Sequence, residues 1–176
     1  MASHDGVATN ATTGYTNNGT VDITGGTASK TAAISTSFGY VDNKGTINVD
    51  KGIGAYGVNG SSLTNNNAIN ITSSGVGMAG FASASKLKTY GTDDKISSGT
   101  LLAADKVLEI TNNGTITVAG NGSIGLYGNT NDIAGTGLVL TSNGVISNNG
   151  KIVMTGDSGV GIVSEGAGNT VNLGGT

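Results

Sequence analysis

The sequence predicts an all-β fold, a parallel β-helix with three short strands per coil. Three observations predict it. One motif of Asn, Gly and paired aliphatic residues recurs along the chain, apolar residues alternate with period two, and three different blocks follow one another in the same order in each copy. Alternation of this kind belongs to strands, and no apolar spacing of three and four supports a helix. A β-sandwich has no reason to repeat three distinct strands in fixed order.

Each module opens with a short element carrying one large residue two places before the Asn turn: Tyr15, Val41, Leu63, Ile110 and Ile146. The turn and its strand follow as Asn17 to Ile23, Asn43 to Val49, Asn65 to Ile71, Asn112 to Val118 and Asn148 to Met154. Here Val21/Ile23, Ile47/Val49, Ile69/Ile71, Ile116/Val118 and Ile152/Met154 are expected inside, with Asp22, Asn48, Asn70, Thr117 and Val153 outside. Gly19, Gly45, Gly114 and Gly150 share one turn slot with Asn67, and Asn tolerates positive φ best after Gly, so that slot is expected to be left-handed.

A second block comes next: Gly52 to Gly57, Gly75 to Gly80, Ser123 to Gly128 and Gly159 to Ser164, with a weak version at Thr31 to Ile34. Its pairs Ile53/Ala55, Val76/Met78, Ile124/Leu126 and Val160/Ile162 are expected inside. Gly54, Gly77, Gly125 and Gly161 would then form an outward column beside Tyr56, Ala79, Tyr127 and Val163, with the tyrosines folded over nearby glycines.

Stacked modules share one aliphatic interior, and aligned corner asparagines can form an amide ladder. Modules recur at intervals of 26, 22, 47 and 36 residues. The shortest defines the coil; the interval of 47 holds a degenerate coil or a large loop, and that of 36 an extra strand around Leu138 to Leu140. About six to eight coils at strand spacing make a rod roughly 30 to 40 Å long. One β-helix is expected over 15–176, preceded by an N-terminal segment 1–14 and broken by an insertion at about 82–106.

Composition narrows the function. With no Cys, no disulfide or zinc-cysteine site can form; with no Arg and a net charge of −3, nucleic acid is not an expected partner. No apolar run reaches the length of a membrane helix, and Met1 to Asn10 lacks the features of a signal peptide.

The pairing of Asn112-Asn113-Gly114-Thr115-Ile116-Thr117-Val118 with Gly122 to Gly128 resembles the passenger repeat of the large, monomeric type V autotransporter adhesins of fusobacteria and their relatives. The resemblance covers about residues 15 to 176. It implies a right-handed β-helix exported to the bacterial outer surface, used to attach to host cells or other bacteria, with a C-terminal outer-membrane barrel elsewhere in a longer chain. The sequence itself departs from a complete autotransporter in carrying neither signal peptide nor barrel. The receptor would be a cell-surface protein or glycan, the rod a monomer, with no cofactor and no metal. A trimeric autotransporter head, a left-handed roll with shorter repeats, is disfavoured by the 22-residue minimum interval.

Motifs that point elsewhere are absorbed by the repeat. Gly52 to Gly57 and Gly75 to Gly80 fit a dinucleotide fingerprint but recur within strands with no helix after them. Gly156-Asp157-Ser158-Gly159 resembles a protease nucleophile loop, yet its module equivalent is the turn Gly120 to Ser123, and His4 is the sole histidine. A carbohydrate-active β-helix would need clustered carboxylates, whereas the outward column stacks only Asp22, and Asp93-Asp94 would point to opposite faces of a strand. Calcium-binding Asp repeats are absent, and an ice-binding Thr rank is broken after Thr115 and Thr117. The repeat-breaking stretch concentrates charge around an aromatic ring, so Lys86, Lys88, Tyr90, Asp93, Asp94 and Lys95 are the candidate partner-binding residues.

Overall fold

The computed structural model describes residues 2–4, 14–26, 31–37, 39–58, 61–82, 108–130, 144–166 and 168–176. They form a right-handed parallel β-helix with three sheets. Sheet A stacks β1 (Ala2–His4), β4 (Ala32–Ser37), β7 (Gly52–Val58), β10 (Gly75–Phe81), β13 (Ile124–Asn129) and β16 (Val160–Glu165). Sheet B stacks β2 (Gly14–Asn17), β5 (Tyr40–Asn43), β8 (Ser62–Asn65), β11 (Glu109–Asn112), β14 (Val145–Asn148) and β17 (Thr170–Leu173). Sheet C stacks β3 (Thr20–Ile23), β6 (Thr46–Val49), β9 (Ala68–Ile71), β12 (Thr115–Val118) and β15 (Lys151–Met154). The described residues thus make just under six coils. The first strand lies within the segment 1–14, where β1 pairs with Ser35 to Ser37 of β4.

Each strand pairs in register with its counterpart one coil on, so like stacks on like. Ile47, Ile69, Ile116 and Ile152 align in sheet C, and Val41, Leu63, Ile110 and Ile146 in sheet B. Nearly all are fully buried, each worth roughly 1.5 to 3 kcal/mol of burial that no single coil could achieve. β8 hydrogen-bonds directly to β11, and β10 to β13, so no coil intervenes in the 47-residue interval. The 36-residue interval behaves likewise, β11 pairing with β14; the strand expected at Leu138 to Leu140 lies outside the described residues.

The expected amide ladder runs through five successive strands of sheet B and stops at β17, where Leu173 is the register partner of Asn148. Asn17 donates to Asn43 at 2.8 Å, Asn43 to Asn65 at 2.7 Å, Asn65 to Asn112 at 2.8 Å and Asn112 to Asn148 at 2.8 Å. All five side chains are buried, and the ladder removes the penalty that isolated amides would incur there. Two outer ladders run with the opposite donor direction. Asn70 donates to Asn48 and Asn48 to Asp22, while Asn149 donates to Asn113, Asn113 to Asn66 and Asn66 to Asp42. Each outer ladder ends on a carboxylate, an acceptor-only group suited to the receiving end. Asp42 also pairs with Lys44 at 3.2 Å.

Two expectations about glycine are corrected. Gly19, Gly45, Gly114 and Gly150 are not at positive φ; the described glycines that are sit at other corners, such as Gly25, Gly52 and Gly122. Glycine is favoured in the slot because a Cβ would overlap the preceding coil, on the Gly19 carbonyl oxygen for Gly45 and the Asn67 carbonyl oxygen for Gly114. Where Asn67 does carry a Cβ, the next bond stretches: Ala68 N to Gly45 O is 3.4 Å, against 2.7 to 2.9 Å at Thr46, Thr115 and Lys151.

The second correction concerns sheet A. Gly54, Gly77 and Gly125 face inward and are buried, their Cβ positions aimed at the Cγ2 atoms of Ile69, Ile116 and Ile152 at 2.5 to 2.7 Å. Ala55, Met78 and Leu126 also face inward, so two consecutive residues point into the core. The strand bends there, resetting the alternation. Ile53, Val76 and Ile124 consequently sit half-exposed at the corner, and Val160 is exposed.

Candidate functional site

The three corners of the coil differ in length. The turn from sheet B to sheet C is two residues in every module: 18–19, 44–45, 66–67, 113–114 and 149–150. The corner from sheet A to sheet B spans 5–13, 38–39, 59–61, 82–108, 130–144 and 166–169 in successive coils. Both long interruptions of the repeat therefore leave the rod at the same corner, in adjacent coils. The six candidate residues, Lys86, Lys88, Tyr90, Asp93, Asp94 and Lys95, lie outside the described residues.

The stems of the first interruption are fixed. Ala82 and Leu108 are both buried, the Ala82 N–H donates to the Asn129 carbonyl at 2.9 Å, and the Leu108 carbonyl accepts from Val145 N–H at 2.9 Å. Those of the second are fixed by Asn169, whose Oδ1 accepts from Thr130 Oγ1 at 2.8 Å and from Gly144 N–H at 3.0 Å.

Beside this corner, the outer face of sheet A carries an aromatic stripe. Phe81 packs between Tyr56 and Tyr127, with ring centroids 5.6 and 5.2 Å apart and both pairs tilted by 48°. Ala79 is the register partner of both tyrosines. Its small side chain leaves the gap that Phe81 leans across from two residues on. The tyrosines thus pack on Phe81, not on the inward glycines, and the expected shielding does not occur. At the stripe's C-terminal end Glu165 accepts from Tyr127 Oη at 2.7 Å and from Asn129 Nδ2 at 2.6 Å. Burial raises the Tyr56 phenol above its usual value. Tyr127 is raised too, first by burial and further by the Glu165 carboxylate, with Asn129 opposing. Phe81 escaped sequence reasoning because it lies one residue past the repeated block; its signal was an aromatic ring two residues past Ala79, diagonal to the tyrosines that Ala79 faces.

An open depression of about 390 Å³ lies where sheet C turns toward sheet A, lined in part by Asp22, Asn48, Asp50 and Thr72. Both carboxylates there already accept hydrogen bonds, Asp22 from Asn48 at 2.7 Å and Asp50 from Ser73 Oγ at 2.9 Å. Among the described residues no three His, Cys, Asp or Glu side chains cluster to hold a metal ion. The Gly156 to Gly159 loop is a turn stacked on its module equivalent: Asp157 N–H donates to Asn121 Oδ1 and Gly122 N–H to the Asp157 carbonyl, both at 2.9 Å. Ser158 takes φ 56° where the preceding coil has Gly122 at 65°.

Compared with known proteins, the chain matches no family model, no curated protein and no solved structure.

Proposed function

We propose that this chain is part of the passenger of a bacterial cell-surface adhesin of the autotransporter type, a stiff display rod in attachment to host cells or other bacteria. The observation that carries this reading is the segregation of length variation. The corner between sheets B and C is two residues in every module and that between sheets C and A two to eight, whereas both long interruptions, 82–108 and 130–144, fall at the corner between sheets A and B in adjacent coils, as solenoids do when insertions collect on one binding face. The candidate charged residues and Tyr90 belong to the first of those segments, and the aromatic stripe flanks the corner that bears them. Resemblance of the Asn-Gly repeat to fusobacterial adhesin passengers supports the same reading. The partner is then a surface protein or glycan of another cell, and the rod contributes positioning and no reaction of its own.

The test has two arms. Intact cells of the producing bacterium are labelled with antibody raised against the chain, and beads coated with the chain are scored for attachment to a panel of epithelial and bacterial cells. The reading expects surface labelling, bead attachment, and loss of attachment when residues 84–106 and 132–142 are replaced by short Gly/Ser linkers with the melting temperature retained. Absence of surface label, or attachment indifferent to both replacements, would overturn it.

A further inference from the structure

Tyr56, Phe81 and Tyr127 lie on β7, β10 and β13, and each of those strands is paired along both edges. The neighbours of all three rings within the sheet are therefore on the page. Each residue remains partly exposed on the outer face, with Val58 the register partner of Phe81 and Val163 that of Tyr127.

Glu165 places charge at one end of the row. It is the only charged residue in β4, β7, β10, β13 and β16. The described lysines lie elsewhere: Lys44 in the turn after β5, Lys51 at the corner before β7 and Lys151 in β15. Tyr127 Oη and Asn129 Nδ2 both donate to Glu165 Oε2, at 2.7 and 2.6 Å, and Asn129 Nδ2 donates also to Tyr127 Oη at 2.9 Å. A phenol carries one donor hydrogen and an amide nitrogen two, so all of them are used inside this cluster. What the Glu165 end of the row offers outward is π surface and negative charge, without a donor for an anion. A phenol that gives its hydrogen to a carboxylate also gains electron density in its ring, which strengthens attraction to a cation.

The kind of cation follows from what the face lacks. An ammonium bearing N–H groups needs acceptors to replace its water, and ring faces supply none. A quaternary ammonium has no N–H to satisfy, so its methyl groups can rest on the rings while its charge is drawn by the π surface and the carboxylate. The chain's net charge of −3 works against an anionic carrier of that group. We infer that the row of Tyr56, Phe81 and Tyr127, with Glu165, docks the choline headgroups of a phosphatidylcholine bilayer. Tyrosine and phenylalanine suit headgroup depth, where a ring meets both apolar and polar surroundings. The inference goes beyond the adhesin reading, because it gives the wall of the rod a contact that needs neither long segment.

Beads coated with the chain are mixed with fluorescent vesicles of phosphatidylcholine, of phosphatidylethanolamine or of phosphatidylglycerol, so that many weak contacts add. Capture of phosphatidylcholine vesicles should exceed that of either other kind roughly fivefold or more, and choline chloride should release them where sodium chloride at equal concentration does not. Glu165→Gln, which can still accept from Tyr127 and Asn129, should lower capture roughly threefold or more, and Tyr127→Leu further, with the melting transition of each variant showing that it folds. Asp157→Asn removes a charge from the turn before β16 and should leave capture unchanged. No capture of phosphatidylcholine vesicles, equal capture of phosphatidylethanolamine vesicles, or capture indifferent to both Glu165→Gln and Tyr127→Leu would each overturn the inference. None of these results bears on surface labelling of intact cells or on attachment through residues 84–106, so the two readings fail separately.

Discussion

Asn65 donates through Nδ2 to Oδ1 of Asn112 at 2.8 Å, although 47 positions separate them along the chain. The bond carries the buried ladder across the longest interruption of the repeat at the spacing found elsewhere. Asn65→Ala leaves Asn43 with only the Ala68 carbonyl as acceptor and Asn112 without its side-chain donor, both in buried positions, and should lower stability by about 2 to 4 kcal/mol. Asn70→Ala, in an outer ladder that water can reach, should lose less than about 1 kcal/mol. Urea unfolding of both variants checks this, and equal losses would show that burial is not what gives the inner ladder its weight.

The turn slot of Gly114 separates a steric requirement from a dihedral one. A left-handed slot would accept Asn more readily than Ala; a slot closed by the Asn67 carbonyl oxygen penalises any Cβ. Gly114→Ala and Gly114→Asn should therefore both destabilise, by about 1 to 3 kcal/mol. Thermal unfolding would contradict the steric account if Asn matched the parent while Ala did not.

Phe81 should matter more than its position outside the repeat suggests. Phe81→Ala removes both ring contacts of the stripe and is expected to lower stability by about 1 to 3 kcal/mol, with a reduced near-ultraviolet dichroism signal from the tyrosines. An unchanged spectrum would mean the rings do not pack in solution.

Alkaline pH offers a fourth check. Tyr56 and Tyr127 have raised phenol values in the folded state, so the folded chain holds their protons more tightly than the unfolded chain does. Their contribution is fully present below the ordinary phenol value of 10.0 and is lost as pH rises from there through the folded values. Melting temperature should fall above that pH, less steeply in Tyr56→Phe, and tyrosinate absorbance should appear later than in the urea-unfolded chain. A fall equally steep in Tyr56→Phe would assign the effect to other groups.

Much of this architecture was legible in the sequence because a solenoid writes one coil many times. The recurrence of Asn17, Asn43, Asn65, Asn112 and Asn148 was sufficient to place a ladder, and period-two pairs such as Ile47/Val49 were sufficient to place the core of sheet C. What escaped was set by departures from regularity or by contacts between coils. At Gly54 and Ala55 a bend makes two neighbours face inward, and alternation alone assigns such a pair to opposite faces. The role of Gly114 depends on a carbonyl of the coil before it, which a turn propensity does not see. The direction in which each amide points is likewise a property of the stack. For the candidate site, the sequence marked where the repeat breaks, whereas the shared corner of the two long segments required the strand order.

The two-residue corners and the variable one have a mechanical consequence. Pulled from its ends, a solenoid peels one coil at a time, and each rupture here breaks similar backbone pairs and one identical asparagine bond. Forces should therefore be alike from coil to coil. The thread freed behind each rupture should differ, because successive ladder residues are 26, 22, 47 and 36 positions apart. At the reach of an extended chain these steps run from roughly 75 to 160 Å. The coils that carry the two long interruptions would then yield the most thread per rupture at no greater force.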